Sequence, residues 1–241
     1  MIHFSVDDVI EIFKNLSKNR YASCFDEPSL SFFRELHAQY GFSVALYCFY
    51  EDCSGFDLSA APRRFSEEFR QNADWLTFGF HGLNRRSNYA DCDIPQFLSD
   101  ANKVYSNLRQ AVSESALTYD VRLSFASGNF DCVAAFKKAY PLFHTLYGAD
   151  DRRIEYYLSA SENAILLEHG FFRDDRIGIT IQMSQPRLEK LDSPPLMPDR
   201  NDCAFFTHEC RLDDPLIRER ITWLCCQGRA FSIFEIPPMI S

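Results

Sequence analysis

Several features that mark large classes of protein are missing from this chain of 241 residues. It contains no C-x-x-C pair, so the sequence predicts neither a zinc ribbon nor a thioredoxin-type redox site. No G-x-G-x-x-G or P-loop segment occurs, which argues against a nucleotide-dependent enzyme. No apolar stretch approaches the length of a membrane span. We therefore expect a globular domain without a membrane partner.

Basic residues are also too sparse for a nucleic-acid partner. The chain has 25 Lys and Arg against 34 Asp and Glu, a net charge of −9, and no basic run longer than a pair or triplet. Nucleic-acid backbones are held by clustered Lys and Arg side chains, which this sequence does not supply. We expect no nucleic acid among its partners.

Cysteine usage points to a reducing compartment. The nine cysteines are an odd number and are scattered along the chain, as is typical of free thiols in intracellular proteins. The N-terminus lacks the basic start and apolar run of a signal peptide. Both observations predict a cytoplasmic location. The 23 Phe and 11 Tyr predict a bulky core, with some rings left to line a cleft.

Short apolar runs alternate with amphipathic stretches along the whole chain. The apolar runs predict strands over Ile2–Val6, Phe42–Tyr50, Trp75–Phe80, Val121–Phe125, Pro141–Tyr147, Cys203–Thr207 and Ala230–Ile236, and a hairpin within Phe171–Met183. The stretches between them predict helices from Val9 onward and over Ser29–Tyr40, Arg64–Asn72, Pro95–Glu114, Phe130–Ala139, residues 158–170 and Pro215–Cys226.

This alternation predicts an α/β fold with a mainly parallel sheet and helices outside it. About seven strand–helix units in a single domain, residues 1–241, favour a closed or nearly closed β/α barrel. An open doubly wound sheet is the alternative.

Two adjacent acids, Asp7 and Asp8, end the first apolar run, and a helical pattern follows at once. In a parallel sheet the carboxyl ends of the strands are where active sites are built. Because successive side chains of a strand point to opposite faces, we expect one acid to face a substrate and the other to turn towards a different partner. The alternative is helix capping, for which Asp is a preferred residue.

Two histidines stand at the ends of other predicted strands. His81 follows Trp75–Phe80, and His208 follows Cys203–Thr207 with Glu209 next to it. In a barrel all these strand ends meet at one mouth. Carboxylate and imidazole together are a ligand set for zinc or a similar divalent ion. A structural role is the alternative for His81, and Glu209 is a candidate to orient His208.

These motifs resemble those of the polysaccharide deacetylase (NodB-like) superfamily. The family's T-F-D-D strand end is matched by residues 5–8, and its histidine at a later strand end is matched within residues 80–85. A late histidine motif corresponds to residues 206–209. The family's R-P-P-x-G-type motif falls on residues 122–128, where the prolines are missing.

The resemblance implies a role for each of four residues. Asp7 would be the catalytic base, Asp8 and His81 would bind a divalent metal, expected to be zinc, and His208 would be the general acid. The chain departs from the family at Arg85, which stands where a second metal-binding histidine is expected. An arginine there removes a neutral ligand and adds a positive charge.

Three further residues are expected to contact a substrate: Tyr89, which lies in a polar loop beside His81, Arg85 and Arg122. Two functions remain open at this point. The first is a metal-dependent hydrolase that removes acyl groups from an acylated carbohydrate or a related amide or ester. The second is a non-catalytic relative that binds a glycan or small polar ligand without metal. The expected partner is a carbohydrate or small acylated substrate.

Overall fold

The structure, a computed structural model, describes residues 1–151, 153–197 and 202–231. Within these residues, seven strands form two sheets. The four-stranded sheet has the order β3 (Leu76–Gly82), β2 (Val44–Phe49), β1 (Ile2–Val9) and β7 (Cys203–His208), and all its pairs are parallel. The three-stranded sheet has the order β4 (Thr145–Tyr147), β6 (Ile179–Gln182) and β5 (Phe171–Asp174).

Helices connect these strands. In chain order they are α1 (Glu11–Lys18), α2 (Pro28–Tyr40), α3 (Ser66–Gln71), α4 (Ile94–Val112), α5 (Phe130–Ala139), α6 (Ala160–His169) and α7 (Pro215–Cys225). Their bounds are set by local signals that the sequence carries. Asp93 accepts a hydrogen bond from the Gln96 amide at the start of α4, and Gly41 ends α2 in the left-handed conformation that glycine adopts without strain.

The four-stranded sheet is covered on both faces. Every residue of β2 and β3 is buried, as is all of β1 except Asp8. Strands that are buried on both faces have continuous apolar sequences, and for this reason the positions of β1, β2 and β3 could be predicted from the sequence. The register places Asp7 of β1 beside His208 of β7, so the polar ends of these two strands coincide.

Isolated bridges connect the two sheets on both sides. Ser184 pairs with Ala204 of β7, and the segment after α4 pairs with β3 through Leu117 and with β4 through Val121. The fold is α/β with mainly parallel strands, as predicted, and it resembles a β/α barrel in which single bridges stand where full strand pairs would complete the ring. The hairpin predicted within Phe171–Met183 is present, because β5 and β6 pair antiparallel.

The predicted strand Val121–Phe125 is wrong. Only Val121 takes part in a bridge, and residues 124–126 form a short 3-10 helix. The physical reason is the backbone of Phe125 and Ala126, whose φ angles of 60° and 49° are incompatible with an extended strand. Of the predicted last strand, Phe231 bridges to Ile2, and residues 232–236 lie outside the described ranges.

Among the described residues, none of the helices combines the length and apolar character needed to cross a bilayer.

Candidate functional site

The predicted strand ends meet in one cleft with a cavity volume of about 400 Å³. Its polar lining includes six of the seven residues singled out in the sequence: Asp7, Asp8, His81, Arg85, Arg122 and His208. A cavity of this size suits a small organic ligand or a sugar unit.

Asp7 and Asp8 both line the cleft, although adjacent strand residues are expected to point to opposite faces. The alternation fails because Asp8 has a φ of 63° and the pairing of β1 with β2 is interrupted between Val6 and Val9. The local bulge turns the second acid back towards the first. Both acids therefore face the cleft, and each lies against a different partner there, Arg122 for Asp7 and His81 for Asp8.

Helix capping, the alternative for these acids, is also excluded. The residue before α1 is Ile10, without a side-chain cap, and the backbone N–H groups of Ile10, Glu11 and Ile12 donate to the carboxylate of Glu209 at 2.8 to 2.9 Å. Glu209, 198 residues later in the chain than Glu11, therefore accepts the hydrogen bonds of the free N–H groups at the start of α1. Neither Asp7 nor Asp8 is needed as a cap.

Asp7 is 2% exposed and lies beside Arg122. Its Oδ2 is 3.3 Å from Arg122 Nε, an ion pair without hydrogen-bond geometry, and its Oδ1 has no hydrogen-bond partner among the described residues. Burial raises the pKa of Asp7, and the charge of Arg122 only partly opposes that rise. This carboxylate is more basic than an ordinary Asp and has an oxygen available.

Arg122 is 3% exposed, and most of its donors are occupied. Nη1 donates to the carbonyl of Gly148 at 2.5 Å, and Nη2 donates to Ser184 Oγ at 2.6 Å. The guanidinium also lies 4.0 Å from the ring centre of Phe206. Arg122 lines the cleft, and these bonds hold its side chain against the cleft wall, where its charge acts on Asp7.

Asp8 and His81 form the second pair. Asp8 Oδ1 lies 3.2 Å from His81 Nε2, and His81 Nδ1 donates to the carbonyl oxygen of Arg122 at 2.5 Å. That backbone bond fixes the ring and directs Nε2 into the cleft. Burial would raise the pKa of Asp8, but the hydrogen bond to His81 and nearby positive charges outweigh it and lower the pKa.

The pair suits a divalent ion only in part. Two atoms that bind one ion at about 2.1 Å lie roughly 3.0 to 3.4 Å apart, and the Asp8–His81 separation falls in that interval. A catalytic zinc site has three protein ligands, whereas no group of three His, Cys, Asp or Glu able to hold a metal occurs in the described ranges. Arg85 lines the same cleft and brings a positive charge to it.

His208 is held by a residue that the sequence did not reveal. Its Nδ1 is hydrogen-bonded to Glu189 Oε1, and the other oxygen of Glu189 accepts from Thr207 Oγ1 at 2.9 Å. Burial lowers the pKa of His208, but Glu189 and the two aspartates outweigh it and raise the pKa. Glu209, the expected partner of His208, instead caps α1.

Tyr89 does not line the cleft, so its predicted contact with a substrate ring is wrong. The side chain is 2% exposed and packs against Phe80 and Phe97. Its hydroxyl donates to Asp100 at 3.2 Å and accepts from the Leu83 amide at 3.0 Å. The polar residues around Tyr89 in sequence suggested exposure, but they fold over it as a loop.

The cleft contains an aromatic residue that the sequence analysis did not single out. Phe125 is 58% exposed and, like Asp8 and Ala126, combines a positive φ with a place in the cleft lining. A bulky residue in this conformation is costly, and such strain is frequent at functional sites. No sequence pattern marks it, because Phe125 ends an apolar run and looks like part of a strand.

No protein-family model and no curated protein matches this sequence. Solved structures do match. A Mycobacterium smegmatis protein assigned to the polysaccharide deacetylases aligns at a TM-score of 0.55 with 9% identity, over 96% of this chain and 85% of that chain. The chain has the polysaccharide deacetylase fold.

Two further structures align over nearly the whole chain. A family 4 acetyl xylan esterase from Clostridium thermocellum, in complex with cobalt, has a TM-score of 0.50 and 10% identity, over 95% of this chain and 86% of that chain. A CE4 family pseudoenzyme from Bacillus anthracis has a TM-score of 0.49 and 10% identity over 96% of this chain. This chain spans 62% of that protein's length. The polysaccharide deacetylase fold accounts for the convergence of β1, β3 and β7 on one cleft.

Proposed function

We propose that this protein is a hydrolase that removes acyl groups from an acylated carbohydrate. The observation that carries the proposal is the position of Asp7 and His208, which are register neighbours on the adjacent strands β1 and β7, line one cleft and each have a raised pKa. A carboxylate that is unusually basic and an imidazole that is unusually ready to hold a proton are the two groups that acid–base hydrolysis requires.

In this mechanism Asp7 is the general base. Its buried Oδ1 takes a proton from a water molecule, and the water oxygen forms a bond to the acyl carbon. His208 carries a proton that it gives to the leaving nitrogen or oxygen of the sugar as the acyl bond breaks. The products are a carboxylic acid and a free amine or hydroxyl, and Glu189 keeps His208 oriented throughout.

Asp8 and His81 would hold a divalent ion, zinc or cobalt, with weaker affinity than a site with three protein ligands. When bound, the ion supplies positive charge that polarises the acyl carbonyl. The cobalt complex of the acetyl xylan esterase with the same fold supports testing both metals and acetylated sugars first.

The alternative is a non-catalytic protein that binds a glycan or small polar ligand in this cleft. Arg85 favours it, because an exposed cation beside Asp8 and His81 opposes a divalent ion and takes the place of a ligand. Asp7 and His208 would then contact the ligand without reacting.

Acetate release decides between the two. Wild type would be incubated with N-acetylated chito-oligosaccharides and acetylated xylan, with and without added zinc or cobalt, beside Asp7→Asn and His208→Gln. We expect turnover in wild type and a loss of about 100-fold or more in each variant. Arg86→Gln is the matched control, because Arg86 is exposed and lies outside the cleft lining. Ligand binding without turnover under any metal condition would establish the binding protein instead.

A further inference from the structure

The cleft is rich in arginine although the protein as a whole is acidic. Four guanidinium groups line it, from Arg85, Arg122, Arg153 and Arg187, against two carboxylates, while the net charge of the chain is −9. Like charges in a confined space repel one another, so each of these guanidinium groups is expected to have a negatively charged partner.

Pairing with acids accounts for three of the four arginines. Arg122 lies against Asp7, as described above. Arg187 forms a bidentate pair with the carboxylate of Asp150, at 2.6 and 2.7 Å. Arg153 forms a bidentate pair with Asp151, at 2.7 and 2.6 Å.

Arg85 is the exception. It is exposed, and within the described ranges it has neither an ion pair nor a hydrogen bond to any acid. The two carboxylates of the cleft lining have other partners: Asp7 lies against Arg122 and Asp8 against His81. Arg85 thus adds to the cleft lining a guanidinium that no acid of the described residues engages by an ion pair or a hydrogen bond.

We infer that Arg85 binds an anionic group, a carboxylate or a phosphate, carried by the ligand of this cleft. The identity of that ligand as an acylated sugar rests on the proposed function; the anionic group does not. A guanidinium presents a planar fork of donors that matches both oxyanions, and such charge-assisted pairs are stronger than neutral hydrogen bonds. The ligand's anion would supply the partner that the described part of the protein does not.

Binding measured with three matched probes tests this inference. N-acetylglucosamine is neutral, N-acetylmuramic acid adds a carboxylate, and N-acetylglucosamine 6-phosphate adds a phosphate. We expect at least one anionic sugar to bind wild type about ten-fold more tightly than the neutral one by calorimetry, a difference of about 1.4 kcal/mol. Which of the two binds more tightly distinguishes the carboxylate from the phosphate. The preference should weaken as salt is raised.

Arg85→Gln should abolish the preference, so that the neutral and the anionic sugars bind with similar affinities. Arg86→Gln makes the same charge change on the neighbouring residue, outside the cleft lining, and should keep the preference intact. Equal affinity of wild type for all three sugars would overturn the inference. So would a preference that survives in Arg85→Gln.

The outcome is independent of catalysis. Preference for an anionic sugar without acetate release would refute the proposed hydrolase and retain the role of Arg85. Acetate release by wild type, together with equal affinity for the neutral and the anionic sugars, would retain the hydrolase and refute the role of Arg85.

Discussion

The imidazole of His208 is hydrogen-bonded through Nδ1 to Glu189, a residue 19 positions earlier in the chain. The carboxylate favours the charged imidazole and contributes to raising the pKa of His208 above its ordinary value of 6.5. Glu189→Gln removes that charge while keeping the side-chain shape. We therefore expect a lower pKa for His208, measured from the pH dependence of its ring resonances by NMR.

The same variant has a consequence for stability. A histidine whose pKa is raised on folding stabilises the folded state fully below its unfolded pKa, and that contribution is lost as pH rises through the folded pKa. In Glu189→Gln this pH dependence should shrink, whereas Glu219→Gln, an exposed control, should keep it. An unchanged His208 pKa in Glu189→Gln would contradict the pairing.

Metal affinity should be limited by the missing third ligand. We expect weak zinc binding by wild type, loss of binding in Asp8→Asn, and about ten-fold tighter binding in Arg85→His, or about 1.4 kcal/mol. Titration calorimetry with zinc and cobalt measures all three. Arg86→His controls for a histidine added merely nearby. Tight zinc binding that persists after loss of both Asp8 and His81 would rule out this ligand assignment.

The ion pair of Asp7 and Arg122 is nearly inaccessible to water, with side-chain exposures of 3% and 4%. Arg122→Leu would leave the buried acid without its counter-charge, and it would also break the bonds to Gly148 and Ser184. We expect a loss of about 3 to 5 kcal/mol in the free energy of unfolding, measured by urea denaturation.

A double variant separates the pair from the other bonds of Arg122. Adding Asp7→Asn to Arg122→Leu should restore part of the lost stability, because the unpaired acid is gone. Arg86→Leu should change stability by no more than about 0.5 kcal/mol. Additive effects of the two cleft substitutions would show that the two side chains do not interact.

Glu155 should make stability depend on pH. The side chain is 0% exposed, both its oxygens lie 2.9 Å from the Ala149 amide that donates to them, and burial raises its pKa to about 7. Because the folded state holds this proton more tightly than the unfolded chain, stability is greatest below about pH 4.5 for this group and falls until about pH 7.

Glu155→Gln should remove that part of the pH dependence, which is on the order of 3 kcal/mol at most for a shift of this size. Urea denaturation at about pH 5 and about pH 8, near the two ends of the titration, measures it. Glu168→Gln, an exposed control, should leave the profile of wild type. Equal pH profiles of Glu155→Gln and wild type would contradict a raised pKa at Glu155.

Those parts of the fold and site that are coded by continuous apolar runs could be predicted from sequence. β1, β2, β3 and β7 are buried on both faces, so their runs are long and end abruptly at a polar residue. The polar residue at the end of each run can therefore be recognised in the sequence, and parallel pairing of the strands brings these ends together. Asp7, Asp8, His81 and His208 all stand at such strand ends, and all four line the cleft.

The remainder depends on contacts that no local pattern encodes. Glu189 lies in a short 3-10 helix between β6 and β7, where no hydrophobic period marks which side chain turns inward. Phe125 looks like a strand residue until its backbone conformation is known. Tyr89 looks exposed because its neighbours are polar, yet its hydroxyl satisfies buried partners. In each case a specific hydrogen bond or a backbone conformation, and not an apolar pattern, determines where the side chain lies.

The left-handed backbone at Asp8 restricts which amino acids evolution can place there. Asp, Asn and Gly tolerate this conformation, whereas β-branched side chains do not. Few amino acids are therefore compatible with position 8, even in a relative that has lost catalytic activity. An aspartate conserved at position 8 in distant relatives would reflect the backbone conformation as much as activity. Asp7 has no such backbone constraint, so its conservation would be the better indicator of retained activity.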